Sequence, residues 1–121
     1  DTDPDYIAPY EDTAICPITY TTDCPTNFAA TGLNDSIVFE FSLGNDVVDN
    51  PALGFIKFKA MIAAVEQGNI TFPLPNDPKN YFTDTLTGLA SATAYDLEID
   101  YLSPSSVLVT NCNLGITVTT T

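Results

Sequence analysis

Four carboxylates at the start of the sequence have the spacing of a calcium-binding loop. In that template the oxygen ligands include those at positions 1, 3, 5 and 12, which are filled here by Asp1, Asp3, Asp5 and Asp12. Tyr6 stands where the sharp turn of such a loop requires glycine, and Asp12 replaces the usual bidentate glutamate. The sequence therefore favours a solvated acidic arm and leaves a calcium site as the alternative.

A second group of carboxylates has the composition of a general acid and base pair. Asp96, Glu98 and Asp100 alternate with apolar residues, so they should project from one face of a single strand into water. A carboxyl group that donates a proton near neutral pH needs an apolar pocket to raise its pKa, and this pattern provides none. The sequence also has no histidine, arginine or tryptophan. We expect no enzymatic activity and no bound cofactor.

The elements that would position these groups change character along the chain. Residues 1–25 contain six acidic residues, four prolines and no lysine. Proline at that density excludes a central strand or a helix interior, so we predict an extended arm or linker. Residues 26–121 alternate with a period of two, in apolar runs bounded by Gly, Pro, Asn and Asp, which is typical of half-buried strands. We predict one β domain over 26–121.

About seven short strands are predicted within that domain. The clearest cover 37–41 and 95–101, and the others lie around 28–30, 55–59, 70–74, 81–86 and 114–121. Prolines at 73, 75 and 78 confine the strand at 70–74 to a sheet edge. Residues 60–67 fit a strand that runs into an irregular connection, and 44–51 form a polar break.

Composition limits the classes of function. The chain has 121 residues, which is enough for one domain, and a formal net charge of −13. Such a charge repels nucleic-acid phosphates and excludes a basic membrane-binding patch, and no apolar run is long enough to insert across a bilayer. A hydrophobic content of 45% is too high for a disordered acidic tail. Three cysteines in so small a domain point to an oxidising compartment.

The residues that lead into the predicted strand at 95–101 resemble a sequence motif of fibronectin type III domains. Spaced two apart, they are Leu89, Ser91, Thr93 and Tyr95, with Ser91 where the family has proline. The resemblance implies an all-β, antiparallel sandwich of about seven strands, fibronectin type III-like or immunoglobulin-like. It also implies that Tyr95 forms a tyrosine corner, in which the hydroxyl bonds to backbone just upstream. The tryptophan usual in the second strand is absent.

The sandwich topology implied by this resemblance also bears on the cysteines. In it the chain reaches the first strand at the pole where the sixth strand ends and turns towards the seventh. Cys24, before the first strand, then lies close to Cys112, and we favour a Cys24–Cys112 disulfide. Cys16 is left over, to stay free, pair with a neighbouring chain or replace Cys24. A Cys16–Cys24 bridge is the rival, because those residues are close in sequence.

The segment DPDYIAPYEDTAICP is similar to joining segments of modular bacterial surface and phage virion proteins. We therefore expect a non-catalytic structural or adhesive module, a spacer, decoration or attachment unit that is extracellular, on a cell surface or in a virion. Its expected partners are proteins, including a second copy of itself. The alternative is a carbohydrate- or calcium-assisted ligand-binding module that uses loops 44–52 and 103–113, with Tyr81 and Tyr101 as candidates for stacking on a glycan.

Overall fold

The computed structural model describes residues 19–121, which form seven strands and one short helix. In chain order these are β1 (Ala29–Gly32), β2 (Ile37–Ser42), α1 (Asn45–Val48), β3 (Phe55–Ile62), β4 (Val65–Pro73), β5 (Tyr81–Leu86), β6 (Ala94–Leu102) and β7 (Leu108–Thr119). One sheet has the order β1-β2-β5 and the other β4-β3-β6-β7, and every pairing is antiparallel. The predicted all-β fold with two antiparallel sheets is confirmed.

The two sheets bury alternating apolar side chains in one core. In β2, Ile37, Phe39 and Phe41 are buried, whereas Val38 and Glu40 between them are exposed. In β6 the buried members of the alternation are Tyr95, Leu97, Ile99 and Tyr101. Burying one large apolar side chain contributes about 1.5–3 kcal/mol. These two strands therefore supply much of the β-sandwich-like core.

Phenylalanine rings connect the two sheets. The ring of Phe39 in β2 stacks on that of Phe58 in β3, with 3.8 Å between centroids and 14° between planes. Phe28 stacks against both rings, and Phe72 of β4 meets Phe39 edge-on. Such aromatic pairs contribute about 0.5–1.5 kcal/mol beyond their buried area, so this cluster helps to fix how the sheets pack.

The antiparallel order places the loops at two opposite poles. We call the end with loops 43–54, 74–80 and 103–107 the first pole, and the end with loops 33–36, 63–64 and 87–93 the second pole. Helix α1 lies at the first pole and buries Val47 and Val48. The sequence predicted only a polar break over 44–51, and this is wrong at its centre, where the helix lies. The helix was missed because two adjacent valines among Asn and Asp residues show no helical period.

A hairpin replaces the irregular connection predicted over 60–67. Strand β3 continues to Ile62, and β4 begins at Val65 after a turn formed by Ala63 and Ala64. Both alanines have positive φ, at 50° and 65°, the backbone of a type I′ turn, which usually carries Asn-Gly. Because the sequence has Ala63-Ala64 in place of Asn-Gly, it gives no signal from which this turn could be predicted. Strand β4 lies at the edge of its sheet, as the prolines predict.

Replacing this turn by the preferred residues is expected to stabilise the domain. Most L-residues are strained in the left-handed region, whereas glycine, which has no Cβ, and asparagine adopt it readily. Ala63→Asn with Ala64→Gly should therefore raise the free energy of unfolding by about 1 kcal/mol, net of the entropy of glycine. Urea unfolding measures the change. Ala52→Gly is the control, since Ala52 is exposed and is not among the positive-φ residues. That substitution should be neutral or destabilising, and equal effects at both sites would contradict the turn assignment.

The last strand is longer than the sequence predicts. Strand β7 begins at Leu108, so the loop that precedes it covers only 103–107, and the ligand loop predicted over 103–113 is wrong in its second half. Cys112 lies within the strand rather than in the loop. The pattern was misleading because Val107, Leu108 and Val109 are all exposed, which removes the alternation typical of a half-buried strand.

Candidate functional site

Residues 19–25 lie at the first pole, where a disulfide attaches them to the last strand. Cys24 is bonded to Cys112 of β7, with 5.6 Å between the Cα atoms and a sequence separation of 88. Cys112 is fully buried in the core. This is the pairing that the sequence analysis favoured. Structural disulfides persist in oxidising compartments, so the bond indicates a non-cytoplasmic, oxidising environment.

Hydrogen bonds also hold the same segment against the first pole. The backbone N–H of Thr21 donates to the carbonyl oxygen of Asp46 in α1 at 3.0 Å, and Asn50 Nδ2 donates to the carbonyl oxygen of Thr21 at 3.1 Å. The Tyr101 hydroxyl donates to the carbonyl oxygen of Asp23 at 2.8 Å. The end of the predicted arm therefore packs on its own domain.

Tyr101 is an anchor and not a stacking surface for a sugar. Its side chain is fully buried, which contradicts the proposed contact with a glycan. Burial raises the pKa of its hydroxyl well above the usual value, and the negative charge of Asp23 raises it further. Tyr81 is exposed, and its hydroxyl donates to Glu40 Oε1 at 3.1 Å. Sequence reasoning missed the Tyr101 contact because the partners are 78 residues apart.

The variant Tyr101→Phe is expected to lose about 1 kcal/mol of stability at neutral pH, because one hydrogen bond is removed. It should also change alkaline unfolding. In the native domain the Tyr101 proton is held more tightly than in the unfolded chain, whose tyrosines titrate near about pH 10. Above that pH the unfolded state loses its proton first, so the stability falls as the pH rises. Urea titrations from pH 8 to 11 should show a shallower decline for the variant, and parallel curves would contradict the assignment.

The C-terminal residues are fixed at the second pole. The Thr120 hydroxyl donates to the carbonyl oxygen of Ala90 at 2.7 Å, and its backbone N–H donates to the carbonyl of Thr93 at 3.0 Å. The N–H of Thr121 donates to the carbonyl of Leu33 at 2.9 Å. Thr120 is 2% exposed. The described chain therefore runs from one pole to the other and is anchored at both.

Tyr95 lies beside this second anchor. The backbone N–H of Ala90 donates to the Tyr95 hydroxyl oxygen at 2.8 Å, and the Tyr95 side chain is 2% exposed. Leu89 is buried, and the Thr93 hydroxyl donates to the carbonyl oxygen of Ser91 at 2.8 Å. The hydroxyl thus bonds to backbone five residues upstream, which is the geometry of a tyrosine corner.

A charged network covers part of the outer face of the four-stranded sheet. Lys59 Nζ lies 2.9 Å from Asp100 Oδ2 and 3.5 Å from Glu98 Oε1, and Asn111 Nδ2 donates to both carboxylates. Burial alone would lower the pKa of Lys59, but the hydrogen bond and charge of Asp100, with those of Glu98, outweigh it and raise the pKa. The prediction that the three carboxylates sit in water holds for Asp96, which is exposed. It is wrong for Glu98 and Asp100, because β3 brings Lys59 against them.

Each of the three lysines of the sequence is in an ion pair. Lys57 Nζ lies 3.1 Å from Glu66 Oε1, and Lys79 Nζ lies 2.9 Å from Asp49 Oδ1, in addition to the pairs of Lys59. Within residues 19–121 no unpaired lysine remains for the other carboxylates. The surface of the described domain is therefore strongly negative.

A shallow depression of about 430 Å³ lies beside a bulge in β7. The register shifts there, since Glu98 pairs with Asn113 but Asp96 pairs with Thr117, and Gly115 in the bulge has φ of 65°. The Thr117 hydroxyl donates to Asp96 Oδ1 at 2.7 Å. Carboxylate, amide and hydroxyl groups in such a depression could bind sugar hydroxyls, but its lining has no aromatic ring.

The candidate calcium ligands Asp1, Asp3, Asp5 and Asp12 lie outside the described residues. Within residues 19–121 no three His, Cys, Asp or Glu side chains are grouped so that they could hold a metal ion. No helix in this part of the chain is long and apolar enough to cross a membrane. No protein-family model, curated protein or solved structure matches the sequence.

Proposed function

We propose that this chain is a non-catalytic structural module that connects neighbouring units in line, in an extracellular, cell-surface or virion assembly. One observation carries the proposal. Residues 19–25 are fixed at the first pole, whereas Thr120 and Thr121 are fixed at the second. A chain that passes through a domain in this way places its neighbours at opposite ends. The assembly then lengthens by one domain per module.

The proposal places the domain among fibronectin type III-like sandwiches. Two features support this: the hydroxyl of Tyr95 closes a tyrosine corner, and the sheets contain three and four strands, with β4 beside β3. In a constant-type immunoglobulin domain the fourth strand joins the sheet of the first, second and fifth strands, so that sheet has four strands and the other has three. Here the fourth strand joins the third, sixth and seventh. Sandwiches of this kind serve as spacers and attachment units.

The carboxylates with the spacing of an acid and base pair support a role without catalysis. Asp100 and Glu98 each accept hydrogen bonds from Asn111 and lie against the Lys59 ammonium. Their oxygens are therefore held by side chains of neighbouring strands in the same sheet, whereas an acid catalyst must have its carboxyl group within hydrogen-bond reach of a substrate. The partners proposed for this module are proteins, a second copy included.

Small-angle X-ray scattering on two copies joined in tandem tests the proposal. The longest strand, β7, is bulged and pairs along the nine residues of β6, which span about 30 Å. In-line copies should therefore increase the maximum dimension of the particle by at least about 30 Å over a single copy. A tandem whose maximum dimension barely exceeds that of one copy would place the copies side by side and overturn the proposal.

The depression beside the β7 bulge supports a second candidate function, the binding of carbohydrate. Its polar lining includes Asp96, Glu98, Asn113 and Thr117. Oligosaccharide titrations followed by amide shifts, with and without calcium, test it, and Asp96→Asn is the matched variant. Saturable shifts at 96–98 and 113–117 that the variant weakens would favour the binding module. Uniformly unchanged spectra would favour the structural module.

A further inference from the structure

The disulfide creates a covalent route through the domain that bypasses almost all of it. Cys24 and Cys112 are separated by 88 positions in sequence, but their Cα atoms are only 5.6 Å apart. The residues between them contain β1 to β6 and the start of β7. A force that passes from one end of the chain to the other can therefore cross the bond without passing through residues 25–111.

The part of the route after Cys112 is already extended. It consists of the rest of β7 and the two residues fixed at the second pole. A β-strand rises about 3.4 Å per residue, close to the limit of a fully stretched chain. The main slack is the bulge between Asn113 and Thr117, where β7 has more residues than β6.

The part of the route before Cys24 leads away in the opposite direction. Thr21 is bonded to Asp46 at the first pole, whereas Cys112 is linked through β7 to the second. A pull on both ends therefore acts along β7. Force favours an unfolded state in proportion to the length that unfolding releases, and this route can release very little.

We propose that the Cys24–Cys112 bond is a tension bypass that keeps the sandwich folded when its neighbours pull on it. This inference rests on the in-line role proposed above and gives that role a mechanism. Pulling force crosses from residue 24 to residue 112 and continues along β7 to the second pole. The core formed by β1 to β6 stays outside the stretched route.

Force spectroscopy on the full chain, held at its two ends, tests the bypass. A Cys16→Ser background removes competing bridges, and Cys24→Ala with Cys112→Ala in that background removes the bypass. The variant should lengthen by about 300 Å on unfolding, from 88 residue steps. The oxidised domain should lengthen by less than about 20 Å, which allows for the bulge. Residues before Cys24 lie outside the segment that the bond closes into a loop, so they contribute equally to the lengthening of both proteins.

A step of about 300 Å in the oxidised domain would overturn the bypass. If the alanine variant does not fold, the same comparison is made on one molecule before and after a reducing agent is added. The long step should then appear only after reduction, and its appearance beforehand would again overturn the inference. Scattering from the tandem separates the two proposals, because copies that lie side by side reject the in-line role without changing the length released by the oxidised domain.

Discussion

Removal of the disulfide by Cys24→Ala with Cys112→Ala is expected to lower the free energy of unfolding by about 4.5 kcal/mol. The bond closes a loop with a sequence separation of 88, and a loop of that size strongly restricts the unfolded chain. Cys112 is also fully buried, so its truncation adds a small packing loss. Domains of this size are often stable by only about 5–15 kcal/mol, so the variant should be close to unfolding.

Urea unfolding of the oxidised protein, the reduced protein and the double variant measures this effect. The reduced protein and the variant should agree to within about 1 kcal/mol, the size of the packing loss. Cys16→Ser is the control and should leave the oxidised midpoint unchanged, because Cys16 is outside the bond. A midpoint that moves with Cys16→Ser and not with the double variant would mean that the bond pairs other residues in solution.

Tyr95→Ala is expected to destabilise the domain by about 3–5 kcal/mol, and Tyr95→Phe by about 1 kcal/mol. The alanine variant removes a buried ring and leaves a cavity between the sheets. The phenylalanine variant keeps the ring and removes only the oxygen that accepts the Ala90 N–H at 2.8 Å. The gap between the two variants therefore separates packing from hydrogen bonding.

Tyr81 provides the matched control for both substitutions. It is 39% exposed, and within residues 19–121 its hydroxyl bonds only to the Glu40 side chain at the surface. Tyr81→Phe should cost less than about 0.5 kcal/mol. Chemical denaturation of Tyr95→Ala, Tyr95→Phe, Tyr81→Ala and Tyr81→Phe in one buffer gives the comparison. A Tyr95→Ala variant as stable as Tyr81→Ala would contradict the buried corner.

The strands that bury one face could be predicted from the sequence, because burial forces a period of two. Strand β6 is the clearest case, since Leu97 and Ile99 are buried between acidic residues. The Ala63–Ala64 turn could not be predicted, because alanine carries no preference for positive φ. The start of β7 was missed for a different reason. Its residues are exposed on both faces of the strand, so apolar and polar side chains do not alternate there.

The candidate site depended on contacts between distant residues, which a single sequence reveals poorly. The Cys24–Cys112 pairing could be favoured only through the topology that the resemblance implied. The burial of Asp100 was missed because it depends on the register that sets Lys59 beside it. The threonine anchor at the second pole was missed as well, since a run of threonines predicts a strand end and gives no partner.

The pairing of every lysine has a consequence for how copies would pack in a crowded assembly. Each lysine ammonium is already in an ion pair with a carboxylate of its own domain. One copy therefore has no unpaired lysine with which to bind the negatively charged surface of another copy. Parallel copies should therefore repel sideways, over a range of about 8 Å at physiological ionic strength. At low salt, light scattering would register this as a positive second virial coefficient. Filaments built from such domains would therefore not associate laterally into bundles.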